Sequence, residues 1–368
     1  MSFFKKNIIN LLVKKGVTFA IFRLPNSKQT NLIVQKTNGL HKTEFEDIEN
    51  VDAFVVAEFR SAKTNIIKYI KADFSYKTSD DISGLTKYLK GLRNHENTAP
   101  NNQYAYLSKI EYLGKTDYII DKLKADELHK IVISRISAME LASRLDLDSF
   151  IEKSLEKYPE AFVYLISSNE TGIWTGASPE LLLNKTEGHC ETCAIAGTQL
   201  LSEYDKFHFW GQKELEEQQM VSGYIEKLLS ELGIKDYTAK GPETISAGDI
   251  VHLKTTFKIE ASALSDKLGV FIKGLHPTPA VCGLPKAAAF RMIENAESHN
   301  RELYTGFIGP WNLHGTSQLF VNLRCAKILN NKVLFYVGGG LTASSDAKAE
   351  WQETVNKTKT LLSVIENL

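Results

Sequence analysis

The sequence predicts an α+β fold of layered antiparallel β-sheets flanked by helices. Strand-like runs follow one another in groups instead of alternating singly with helices, long helical patterns separate the groups, and no internal repeat of 20–50 residues is present. At 368 residues and 43% hydrophobic, the chain can bury a sizeable core without disulfides or a structural metal. Its 44 Lys+Arg balance 44 Asp+Glu, which excludes a phosphate-binding surface spread over the molecule and leaves nucleic acid an unexpected partner; a local basic pocket stays open. Four Cys form no disulfide framework, so a reducing cytoplasm is expected. No run approaches the roughly 20 apolar residues of a membrane span.

The elements follow in order. Lys5 and Lys6 precede the apolar stretch Ile8–Val13, but Lys14 and Lys15 interrupt it and no small-residue cleavage site follows, so it reads as an amphipathic opening helix. Residues 17–24 (VTFAIFRL) and 52–59 (DAFVVAEF) are β-branched and aromatic, hence strands. The polar stretch at 90–105, with Pro100 and several Asn, is the linker or long-loop candidate. It divides an N-terminal elaboration, residues 1–105, from the main domain, 106–368. Within 120–143 a helical rhythm gives way to a short β run at 131–134 (IVIS), and Asp148 is a candidate N-cap for a helix through Lys157. Strands are expected at 161–167, 172–175, 181–184 and 191–196. A helix over 205–232 carries Val221, Tyr224, Ile225, Leu228 and Leu232 at 3–4 spacing. Strands at 251–261, 318–328 and 331–337 and a helix over 346–366 complete the chain. With no extended apolar stripe left over, a monomer is expected.

Several residues carry candidate chemistry. Glu214 and Glu217, and again Glu350 and Glu353, stand three apart on helices, so each pair presents two carboxylates to one side. Two such faces meeting would suit a hard cation such as Mg²⁺; solvated surface is the plain alternative. Gly338, Gly339 and Gly340 lie between a strand and the last helix. They suit either an anion cradle at a helix N-terminus or a tight turn needing positive φ. Lys130 borders IVIS as a candidate general base or a snorkelling surface lysine, and Glu180 in GASPELLL as a candidate acid held protonated by apolar neighbours or an ordinary exposed Glu. His276, between prolines in HPTPA, is either a rigid-loop residue or a pocket donor. Cys190 and Cys193 lack a second CxxC, and on a strand they would point to opposite faces, so neither zinc nor redox chemistry is expected.

In combination, eight collinear segments resemble the chorismate-utilising enzymes over roughly residues 110–368. They are KIVISR from Lys130, TGASPELLL from Thr175, AIAGTQ from Ala194, KELEEQQMV from Lys213, HPTPAVCGLP from His276, RELYTGFIG from Arg301, LRCAKI from Leu323 and VGGGLTASSDAKAEWQETVNKTK from Val337. The chain is similar to the isochorismate synthase branch at three points. Lys130 stands where aminating members carry Gln. Ala196 replaces the Lys of aminodeoxychorismate synthases. Val281 follows HPTPA where salicylate and anthranilate synthases carry Thr.

The resemblance implies an Mg²⁺-dependent isomerase in which water adds at C2 of chorismate as the C4 hydroxyl leaves, feeding menaquinone or catecholate siderophore synthesis. Lys130 would deprotonate the water and Glu180 protonate the leaving hydroxyl. Glu217 and Glu353 would be the nearest metal ligands, with Glu214 and Glu350 acting partly through water. Arg324 and the Gly338–Gly339 backbone would hold the enolpyruvyl carboxylate, with Lys357 adding charge. Gly197 and Thr198 would face the ring carboxylate, Ala280, Val281 and Tyr304 would wall the ring, and His276 would line the pocket. Gln218 departs from the His that many relatives carry after the second Glu of the KExxE segment, a change expected to alter the metal's surroundings without removing a ligand. Salicylate synthase, which goes on to eliminate pyruvate, is the nearest alternative. Anthranilate synthase would need ammonia or a glutaminase partner, and a non-catalytic chorismate-binding module would need no matched acid and base.

Overall fold

The computed structural model describes residues 7–95, 104–125, 128–247 and 250–368, and only the backbone of residues 198, 200, 203, 207, 213, 247 and 250. The opening helix α1 (Ile8–Lys14) buries Ile8, Ile9, Leu12 and Val13. β1 (Thr18–Arg23), β2 (Thr30–Gln35), β3 (His41–Glu44), β4 (Ala53–Ala57), the single turn α2 (Ser61–Thr64), β5 (Ile66–Lys71), β6 (Phe74–Lys77) and α3 (Ser83–Gly91) follow. α4 (Lys109–Lys124) starts at a capping box: the Ser108 hydroxyl accepts from the Glu111 N–H, and the Glu111 carboxylate accepts from the Ser108 N–H. Next come β7 (Lys130–Glu140), α5 (Leu147–Lys157) and an uninterrupted run of β8 (Phe162–Ser168), β9 (Gly172–Ser178), β10 (Leu181–Lys185) and β11 (His189–Leu200). α6 (Leu201–Phe207), α7 (Gln212–Glu231), β12 (Tyr237–Ala247), β13 (Ile250–Glu260), α8 (Leu268–Leu275), β14 (Gly283–Leu284) and α9 (Lys286–Ala296) precede β15 (Phe307–Trp311), β16 (Ser317–Val321), β17 (Cys325–Ile328), β18 (Lys332–Leu341) and α10 (Ala347–Ile365). No described helix is long and apolar enough to cross a membrane.

The strands form two nine-stranded sheets, antiparallel at every pairing. The first has the order β14-β7-β18-β17-β9-β8-β1-β2-β6 and the second β12-β13-β11-β10-β16-β15-β4-β5-β3. Residues 1–105 thus supply three strands to each sheet. The middle of β1, Phe19 to Phe22, is apolar because its side chains alternate between two covered faces. Phe19 and Ile21 point to helices α1, α3, α5 and α10, whereas Ala20 and Phe22 point into the core between the sheets. There Phe162 stacks on Phe320 with ring centroids 4.3 Å apart, joining a strand of one sheet to a strand of the other. A third core lies between the second sheet and helices α7 and α8, and a fourth gathers α4, α9 and the start of β7.

Several local readings change. Asp146, not Asp148, caps α5; Asp148 instead accepts from the N–H groups of Ile9 and Asn10, capping α1 from across the chain. The helix expected over 205–232 is two helices, α6 and α7, broken at residues 208–211. The strand expected over 318–328 is also two, because the chain leaves one sheet for the other at residues 322–324. IVIS is the start of an eleven-residue strand. The proposed linker falls largely on residues 96–103, outside the described residues.

Candidate active site

Two chain crossovers organise the site. The chain passes from the first sheet to the second at Pro179–Glu180, between β9 and β10, and returns at Asn322–Arg324, between β16 and β17. The crossovers are tied side by side. The Ser178 hydroxyl donates to the Val321 carbonyl at 2.5 Å, the Val321 N–H donates to the Glu180 carbonyl at 2.9 Å, and the Ala177 N–H donates to the Arg324 carbonyl at 3.2 Å. Buried Asn322 accepts from the Tyr164 hydroxyl at 2.6 Å and donates to the Leu303 carbonyl at 2.9 Å. Arg324 has a left-handed φ of 49°, a strained conformation imposed where the backbone must turn between sheets.

This location shapes the electrostatics. Desolvation by the surrounding protein pushes the Glu180 carboxyl up to about 7, against the opposing pull of Lys130 and Lys357. Lys130, at the start of β7, is 6% exposed, with Nζ 3.7 Å from the Glu217 carboxylate of α7. Lys357 of α10 donates to the Gly338 carbonyl at 2.9 Å and pairs with Glu353 at 2.5 Å. Burial lowers the pKa of the Arg324 guanidinium, while Tyr304 and Glu353 act in the opposite sense. His252 of β13, which sequence reasoning missed, joins the set. Its Nδ1 lies 3.1 Å from the Gly197 carbonyl, and burial pulls its pKa down, with Arg324 and Lys357 adding to that and Gly197 and Glu353 opposing. A histidine in an ordinary strand pattern carries no signal of this; only the pairing of His252 opposite Thr198 brings it here.

The glycines act by what they leave out. Gly338, Gly339 and Gly340 are neither a turn nor a helix-terminus cradle. They are extended residues of β18 paired with Ser134, Ile133 and Val132 of β7. A Cβ on Gly338 would stand 2.8 Å from the Tyr304 hydroxyl and 2.8 Å from the Ile133 carbonyl, one on Gly339 would stand 2.8 Å from a Glu350 carboxylate oxygen, and one on Gly340 3.3 Å from Lys130 Cε. Gly197 has φ +71° and sits at a bulge where the β11–β13 register slips between Ala196 and Thr198. Its missing side chain lets α7 approach, with Glu214 Cβ 3.1 Å from where a Cβ would be. Of Thr198 the structure describes only the backbone.

The remaining expected residues are dispersed around this set. Val281 is 4% exposed and packs into the core beneath α7 and α8, with Ala280 half-buried before it. Buried Tyr304 reaches toward Gly338. His276 is a rigid-loop residue and not a pocket donor: its ring is buried, Nε2 lies 2.9 Å from the Glu58 carbonyl, and the ring packs edge-on to Phe307. Its pKa is pushed down to about 3, by burial first and by Lys286. Gln218 is buried too and donates to the Ala194 carbonyl and to Thr255 Oγ1, so it pins α7 to the sheet.

The four expected metal ligands sit at matching places, in the first two turns of α7 and of α10. Among the described residues no three His, Cys, Asp or Glu side chains stand close enough to share an ion. Glu217 faces Lys130, Glu353 faces Lys357, and Glu350 accepts from the Ser345 hydroxyl at 3.0 Å. The donors are all carboxylate oxygens, Glu350 is buried, and Gly339 leaves its carboxylate room, which suits a hard cation in kind. Bringing them onto one ion would exchange these partners.

A family model described as "Chorismate binding enzyme" matches residues 38–366. The chain belongs to the chorismate binding enzyme family. It is 29% identical over 245 residues to isochorismate synthase EntC of Escherichia coli (strain K12), covering 65% of this chain and 62% of that protein. It is 28% identical over 222 residues to anthranilate synthase component 1 of Aquifex aeolicus, covering 56% and 44%. The aligned part therefore spans less than two thirds of the length of these relatives. In fold it is similar to MenF, the menaquinone-specific isochorismate synthase from Escherichia coli, with TM-score 0.78 and 19% identity over 96% of this chain and 91% of that one. The paired crossovers carry TGASPELLL and LRCAKI, two of the segments on which the family resemblance rests.

Proposed function

We propose that this protein is an isochorismate synthase that converts chorismate to isochorismate for menaquinone or catecholate siderophore synthesis. The observation that carries this reading is an acid and a base set in one electrostatic cluster: Glu180, whose carboxyl titrates at about 7, and Lys130, buried and within the field that Glu180 feels. An amine at Lys130 Nζ takes a proton from water as its oxygen bonds to C2, the ring π-electrons shift, and the C4–O bond breaks. Glu180 gives its proton to the departing oxygen, which leaves as water, so the net change is an isomerisation. A carboxyl titrating near neutrality suits this role, because a sizeable fraction carries a proton at working pH.

Positive charge receives the two substrate carboxylates. Arg324 and Lys357, both charges that His252 feels, suit the enolpyruvyl carboxylate, with Lys357 reaching the Gly338 carbonyl, and the backbone at the Gly197 bulge suits the ring carboxylate. Members of this family typically use Mg²⁺; Glu217 and Glu353, with Glu214 and Glu350, would hold it, and its charge would offset and orient the ring carboxylate. Lys130 in place of Gln favours water over ammonia as the nucleophile.

Purified protein incubated with chorismate and Mg²⁺, with and without EDTA, tests this by HPLC. Isochorismate that disappears with EDTA supports the proposal. Salicylate would reassign the protein to the enzyme that goes on to eliminate pyruvate, and no conversion would withdraw both acid and base.

A further inference from the structure

We infer that the buried Glu297–Arg301 pair is a positioning unit for this reaction, holding the strand that carries Lys130 in register with the loop that carries Val281. The inference rests on the function proposed above, and neither residue touches the cluster of Lys130 and Glu180 directly.

The argument begins with strand pairing. Loop 276–285 is zipped onto β7 by β14: Leu284 pairs with Lys130 and Gly283 with Ile131, the His129 N–H donates to the Leu284 carbonyl at 2.9 Å, and the Val132 N–H donates to the Cys282 carbonyl at 2.8 Å. Past that point the ladder stops, and the carbonyls of Val132 and Val281 need other donors. One guanidinium supplies both: Arg301 Nη2 donates to Val132 O at 2.6 Å and Nη1 to Val281 O at 3.0 Å. Arg301 thus continues the pairing by one rung with a side chain.

Glu297 fixes the guanidinium and grips β7 a second time. Its carboxylate accepts from Arg301 Nε at 2.9 Å and Nη2 at 2.7 Å, and also from the N–H and hydroxyl of Ser134 at 2.7 and 2.9 Å. Ser134 is the β7 residue opposite Gly338. Arg301 also donates to Thr305 Oγ1 at 3.2 Å, and its guanidinium lies 4.4 Å from the Phe59 ring centroid and 5.9 Å from that of Tyr304. Both side chains of the pair are at most 3% exposed. A stability role alone would be weakly served by such a pair, since apolar residues of similar volume can replace buried ion pairs without loss. A bidentate fork joining two backbone segments sets their spacing, and an error of about 1 Å in that spacing costs on the order of a hundredfold in rate.

Steady-state kinetics on chorismate test this with Arg301→Lys, which keeps the charge but cannot hold both carbonyls, and Ser134→Ala, which removes one of the four bonds to Glu297. Folded fraction and melting temperature are measured for each variant. Arg301→Lys is expected to lower kcat per folded molecule by about a hundredfold with KM changed less than about threefold, and Ser134→Ala by a few-fold. In Arg301→Ala, added guanidinium ion is expected to restore part of kcat per folded molecule without a matching rise in folded fraction, whereas a purely structural loss would recover only in step with folded protein. If wild type turns chorismate over and Arg301→Lys keeps kcat within about twofold, or loses activity only in step with folded protein, the inference is overturned. If wild type itself leaves chorismate unchanged, the proposed function fails, and the positioning role falls with it.

Discussion

Replacing Glu180 by Gln separates the acid's chemistry from its cost to the fold. In the folded protein the carboxyl is pushed from 4.5 to about 7, mainly by desolvation, so the native state holds a proton that the unfolded chain gives up. Rising pH therefore favours unfolding from about 4.5 upward, and the penalty becomes constant above about 7, where the native carboxyl has also ionised. At 1.36 kcal/mol per unit the full penalty is about 3 kcal/mol, of which only roughly 1 kcal/mol is present at pH 5. Glutamine has nearly the same shape and no charge to desolvate. Glu180→Gln should accordingly be more stable than wild type by about 3 kcal/mol at pH 8, or about 4 °C in Tm for a chain of this length, and by roughly 1 kcal/mol at pH 5. The same variant should lose chorismate turnover, because an amide cannot protonate the leaving hydroxyl. Urea melts at pH 5 and pH 8, paired with HPLC turnover, read both effects. An equal stability difference at the two pH values would refute the raised carboxyl, and wild-type turnover would refute the acid.

Three further perturbations follow from the geometry. Lys130→Ala should lower kcat by about a thousandfold, the usual scale of a lost general base, while the circular dichroism spectrum stays that of wild type. Glu353→Gln removes the charge facing Lys357 and should raise the Mg²⁺ concentration for half-maximal activity at least about tenfold; an unchanged titration would take Glu353 out of the ligand set. Gly338→Ala places a methyl 2.8 Å from both the Tyr304 hydroxyl and the Ile133 carbonyl, so it should cost about 1–3 kcal/mol in urea melts and reduce turnover, whereas Gly91→Ala, in open space at the end of α3, should be neutral to slightly stabilising and leave turnover unchanged.

Much of the chain was legible because its local patterns have local causes. The β-branched and aromatic content of VTFAIFRL and the 3–4 spacing of Val221, Ile225 and Leu228 are written within a few residues of one another, and β1 lies within residues 17–24 and α7 within 205–232. Acidic pairs on helices were equally visible. The helix break at 208–211 and the strand break at 322–324 were not; the second falls where a locally continuous apolar pattern is interrupted because the chain changes sheets.

The sequence by itself determined the element types, the grouping of strands into antiparallel layers and the segments that resemble chorismate-utilising enzymes, since these depend on residue order and periodicity. Only the tertiary structure decided what the residues do for one another. Asp148 caps α1 rather than its own helix, His276 is turned to the Glu58 carbonyl, the three glycines of β18 are room for Tyr304, Glu350 and Lys130, and His252 and Arg301 stand beside residues far away in sequence. The reason is physical. A residue's periodicity states which face of its own element it occupies, but burial, charge and hydrogen-bond partners are set by which faces meet. That is decided by the register of strands more than a hundred residues apart.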